Sequence, residues 1–224
     1  MSPVELDRLE RVRKWAAVPT EKRNDDWVHD FESAFWCAPL CGFKDRATLE
    51  HVGYSYLRVS TRSWTEDHEF IRPAQVVDRL IEDGLGLVLT DSEDTNLVWM
   101  TLGEIVSYRL YGRAFSSHLG PIDFNMAPGA QVGLSQLSEA TFPRWARTNI
   151  RRYMQKTLGI PEPKGCLVRF PSESEAIVLD INGNVMGADQ RAGRIVQDLR
   201  WRMPPRIPIY RIDGLAGNPI MEPF

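Results

Sequence analysis

The chain has 224 residues, is 43% hydrophobic, 10% aromatic and 25% charged, and carries a net charge of −3, an ordinary globular composition whose length buries roughly 70% of the unfolded surface without a metal or disulfide staple. No window approaches 18 consecutive apolar residues, and the start "MSPVELDRLERVRKWAAV" is charged throughout with no apolar h-region, which argues against a membrane span and a signal peptide. Three cysteines, an odd number, argue against a secreted disulfide framework, so the expected setting is cytoplasmic with reduced thiols.

The first predicted element is a helix over 3–17, with Pro3 in its first turn and Leu6, Leu9, Val12 and Trp15 at helical spacing. Pro19 ends it. A second helix is expected at about 20–36, opened by Thr20, Glu21, Asp25 and Asp26 and carrying Trp27, Val28, Phe31, Phe35 and Trp36 as an apolar stripe. The run 52–60 alternates as a strand, and "HEFIRP" (68–73) is a short second one. A helix then begins at Pro73 and stops at Gly84. "LGLVLTDS" is the most apolar run and predicts a central strand, returned by "LVWMT" across the acidic turn "DSEDTN". "GEIVSYRLYG" is a short helix between glycines.

Residues 113–136 hold Gly120, Pro121, Pro128, Gly129 and Gly133 without periodicity and are expected to be a long loop, a length that usually serves function or movement. The clearest helix follows at 137–158, with Phe142, Trp145, Ala146, Ile150, Tyr153, Met154 and Leu158 on one side. Its other side carries Arg144, Arg147, Arg151, Arg152 and Lys156. "CLVRF" and "AIVLDI" are strands around "PSESE", "ADQRAGRIVQDLRWRM" is a helix halted by Pro204 and Pro205, and "RIPIYRI" is a last strand before an irregular tail.

This order predicts an α+β fold, an antiparallel or mixed sheet covered by helices, and not a doubly wound sheet, since no strand–helix–strand rhythm is visible. Residues 73–112 and 137–203 both read helix–strand–strand–helix. The expected organisation is therefore one compact domain over 1–224, with two similar helix–hairpin–helix halves, 1–112 and 137–213, joined by 113–136. Residues 1–138 carry 14 basic against 21 acidic residues, and 139–213 carry 13 against 8. Such polarity suits a charged partner, or attraction between the halves themselves.

Candidate chemistry is sparse. Cys37 and Cys41 stand four apart among Phe35, Trp36, Leu40 and Phe43. The spacing matches neither a C-x-x-C redox pair nor the paired motifs of a four-ligand zinc site, and buried sulfur is the expected role, with a metal pair and then a reactive thiol as weaker alternatives. His68 and Glu69 lie in "DHEF", and His118 and Asp123 lie in the long loop. The alternative function is a small hydrolase or transferase with its site in the 113–136 loop, which needs these four to converge in one pocket. The acidic turn 91–96 lacks the glycine and glutamate of a calcium loop, and no phosphate-binding glycine motif is present, so no cofactor is expected.

The arginine side of helix 137–158 is the strongest polar feature. Its plain reading is a solvated outer face; its functional reading is a docking patch for an acidic protein, with nucleic acid disfavoured by the acidic whole. An excess of arginine, 22 against 5 lysines, is consistent with a GC-rich bacterial source. The function expected from these observations is a non-catalytic cytosolic protein-binding module of a bacterium, of immunity, adaptor or chaperone-like type. Charge reversal at Arg147 and Arg151 is expected to weaken binding while leaving stability nearly intact.

Overall fold

A computed structural model describes residues 1–43, 48–62, 68–91, 95–116, 122–123, 132–170, 175–181, 185, 189–210 and 218–224. The chain divides into two compact units, Met1–Ser117 and His118–Phe224. The division falls inside the stretch expected to be a loop. Among the described residues no helix is long and apolar enough to cross a membrane.

The first unit begins with α1 (Pro3–Ala16), whose start is fixed by a capping box. The Ser2 N–H donates to Glu5 Oε2 at 2.7 Å, and Ser2 Oγ accepts from the Glu5 N–H at 3.3 Å, so two otherwise unpaired helix donors are satisfied. A single 3-10 turn, Thr20–Lys22, precedes α2 (Asp25–Phe35), which starts later than its acidic residues suggest. Asn24 is the reason: its side-chain oxygen accepts the Trp27 N–H at 3.0 Å. The two helices are tied by Trp27 Nε1 donating to the Trp15 carbonyl at 2.7 Å.

Six strands follow the order β4 (His68–Ile71), β1 (Leu40–Phe43), β3 (Tyr54–Ser60), β5 (Gly86–Thr90), β6 (Asn96–Met100), with β2 (Thr48–His51) paired to β3. β2 and β3 form a hairpin through Val52 and Gly53, both at positive φ, +53° and +81°. That is the dihedral demand of a two-residue hairpin turn, met here with a β-branched residue that rarely adopts it. β3 and β5 are parallel, and the crossover between them carries α3 (Pro73–Asp83). α4 (Leu102–Tyr111) closes the unit's helical set, opened by a Thr101–Glu104 capping box and ended by Gly112 at φ +70°. β5 is buried at all five positions, so the expectation of a central strand holds.

In the second unit β7 (Ile122–Asp123) and β8 (Gly133–Ser135) lie in the stretch expected to be irregular. α5 (Arg144–Lys156), β9 (Lys164–Arg169), β10 (Glu175–Leu179), α6 (Asp189–Arg202), β11 (Ile209–Tyr210) and β12 (Glu222–Pro223) complete it. The sheet runs β12-β9-β10-β11-β7, with β8 beside β9. β10 and β11 pair in parallel across α6. Cys166, Val168, Ala176, Val178 and Met221 form one buried cluster on this sheet, and the alternating Leu167, Ile177 and Leu179 are buried as well.

The fold is thus mixed α/β with a mixed sheet in each unit. The parallel pairs correct the reading that no strand–helix–strand crossover exists: α3 and α6 each provide one. Neither was visible in sequence because local periodicity identifies a strand without saying which strand it joins.

Candidate interaction surface

α5 begins at Arg144, not at 137, because Pro143 occupies the N-cap and offers no side-chain cap. The preceding turn is organised by polar side chains instead. Ser138 Oγ accepts the Thr141 N–H at 3.0 Å, and Glu139 Oε2 accepts the Arg144 N–H at 3.1 Å. Apolar Ala146, Ile150, Tyr153 and Met154 are buried.

The five cations assigned to the outer side do not share one environment. Arg147 is only 3% exposed. Its Nε donates to the Phe142 carbonyl at 2.6 Å and Nη2 to the Leu137 carbonyl at 2.9 Å. Glu139 lies 3.7 Å away and Glu222 4.0 Å. Burial lowers its pKa from the usual arginine value, and the two carboxylates oppose that effect. Arg147 is therefore a clamp on the 137–142 turn, which corrects its place in the patch and the expectation that its reversal would spare stability. A reversed charge would leave two carbonyls unpaired and face two acids.

Arg144, Arg151, Arg152 and Lys156 are exposed. Arg144 is paired with Glu139 at 3.5 Å yet keeps 88% of its side chain exposed. Arg151 Nη1 donates to the Phe224 backbone oxygen at 3.4 Å. Trp145, expected on the apolar side, is 36% exposed beside Arg144. An indole at the boundary of two helix faces was not resolved by spacing alone, and it adds a partly exposed aromatic ring to the cationic stripe.

The remaining candidates separate. His118 lies outside the described residues. Asp123 is in β7 and His68 in β4, with only their backbone described. Glu69 is exposed on β4, at the rim of a groove in the first unit. Cys37 is exposed in the turn after α2, whereas Cys41 is buried in β1, opposite Phe70 on β4. Burial raises the Cys41 pKa and pushes Cys166 up to about 11. Among the described residues no three His, Cys, Asp or Glu side chains are grouped to hold a metal.

The sequence reading missed two electrostatically linked carboxylates, Glu32, which is buried, and Glu104, which is half-buried. Glu32 on α2 is 8% exposed, and its Oε1 accepts the backbone N–H groups of Ala114 and Phe115, each at 2.7 Å. The Phe115 ring packs against Trp27 and Phe31, with centroids 5.5 and 6.0 Å away. Glu104 on α4 accepts the Thr101 N–H at 2.6 Å. Burial, with a smaller contribution from Glu32, pushes its pKa up to about 7 despite the Thr101 hydrogen bonds. Nothing in the local spacing of either residue signals this meeting, 72 positions apart in the chain.

No family model matches the sequence, and no curated protein or solved structure is significantly similar to it.

Proposed function

We propose that this protein is a non-catalytic, cytosolic protein-binding module of a bacterium, of immunity, adaptor or chaperone-like type, and that it engages an acidic partner through α5. The observation that carries this reading is the exposed stripe of Arg144, Trp145, Arg151, Arg152 and Lys156 on one helix. Arginine and tryptophan are the side chains most enriched among interface hot spots, and a cationic rim steers an acidic partner to them. The order α3–β5–β6–α4 in one unit and α5–β9–β10–α6 in the other supports reading the chain as two related helix–hairpin–helix halves.

The test is capture of partners from a lysate of the source cells at two salt concentrations, using wild type and the triple reversal R144E/R152E/K156E. Arg147 is left intact so that the fold is not disturbed. A stoichiometric partner lost in the triple reversal, and weakened by salt in the wild type, is the expected result. A partner retained equally by both proteins would move the interface off α5. Matching circular dichroism melts would show that both proteins are folded.

A further inference from the structure

The first unit contains a groove of about 240 Å³ between β2–β3–β4 and α3. Its apolar walls are Leu57, Ile71, Val76, Leu80 and Leu85. Ile71 pairs with Leu40 on the neighbouring strand and its side chain reaches diagonally over Gly42: a Cβ at position 42 would stand 1.9 Å from Ile71 Cδ1. Gly42 is thus what allows Ile71 its position in the wall.

The charges at the rim are unequal in their pairing. Arg79 and Asp83, one helical turn apart on α3, form an ion pair at 3.2 Å. Glu69, on β4, has no ion-pair partner among the described residues. The groove therefore offers an apolar trough with one carboxylate at its edge that is unmatched among the described residues. We propose that it binds a small amphiphile with an apolar body and a single cationic, ammonium-type head, which pairs with Glu69 while the body lies along Leu57, Ile71 and Leu80.

Volume, wall chemistry and charge select this occupant. The volume is below the roughly 300–1,000 Å³ typical of drug-sized ligands, so the body is short. The apolar walls favour a hydrocarbon chain or small ring. The local charge balance of two carboxylates and one guanidinium favours a monocation over a neutral or anionic head.

The probes are hexylamine, hexanol and hexanoate, titrated into the full-length protein and followed by backbone amide NMR shifts. Hexylamine is expected to saturate with shifts confined to the groove residues. An exposed ion pair makes its affinity about threefold to fivefold higher than that of hexanol, with hexanoate weakest. E69Q should erase the difference between amine and alcohol while both still bind. V76W, which fills the groove from α3, should abolish both, and the amide spectra elsewhere show whether each variant is folded. Equal affinity for hexylamine and hexanol in the wild type, an amine preference that survives E69Q, amine shifts outside the groove, or no saturable binding would each overturn the proposal.

Discussion

Among single residues, Glu104 has the most consequential environment. Its carboxyl pKa is near 7 instead of 4.5, raised first by burial and then by Glu32. For an acid whose folded-state pKa is raised, the folded state binds the proton more tightly, so stability falls as pH rises from about 4.5 through 7. The penalty is fully present above pH 7 and absent below 4.5. At about 1.4 kcal/mol per pH unit it amounts to at most about 3.5 kcal/mol. E104Q, which keeps an oxygen for the Thr101 N–H, is expected to stabilise the protein at pH 8 and to leave it nearly unchanged at pH 4.5. Urea unfolding of both proteins at the two pH values checks this; parallel pH dependences would show that Glu104 does not titrate in this window. Arg147 gives the complementary lesson. Its spacing on α5 matched the solvated cations, and only the carbonyls of Leu137 and Phe142, turned toward it by a non-helical segment, reveal that it is structural.

Elements with strong local signals emerged close to their expected limits. α1, α3 and α4 carry a proline, a capping box or a left-handed glycine at their ends, and these devices act within a few residues. Several short strands did not emerge. β1 follows Pro39 directly, and β2, almost wholly exposed, turns back through Val52–Gly53 without the usual Asn–Gly signal. β12 exists because Glu222 and Pro223 meet Gly165 and Lys164, far away in sequence. Here a glycine decides the packing: a Cβ on Gly165 would stand 2.6 Å from Phe224 Cζ and 3.0 Å from the Val178 carbonyl. G165A should therefore displace the buried Phe224 ring, destabilise the protein by about 1–3 kcal/mol, and speed amide exchange at Phe224. Unfolding and exchange identical to wild type would mean that the ring is not seated on Gly165.

At the scale of the whole molecule, the two compact units have opposite charge. Met1–Ser117 contains 14 basic and 20 acidic residues, net −6, while His118–Phe224 contains 13 and 10, net +3. Each has its own sheet and its own buried residues, the condition for independent folding. Residues 1–117 expressed alone are expected to melt in one cooperative transition with native-like near-ultraviolet dichroism. A broad, non-cooperative melt would show that the first unit needs the second. The α+β class, most helices, the central strands and the cationic character of α5 are legible in local sequence, because periodicity, caps and breakers act locally. Tertiary structure settles the parallel crossovers, the pairing of β1, β2 and β12, the burial of Arg147 beside the exposure of Trp145, and the electrostatic influence of Glu32 on Glu104. Each of these depends on which distant segment supplies a hydrogen bond, an apolar surface or a charge, and no short window of residues contains that information.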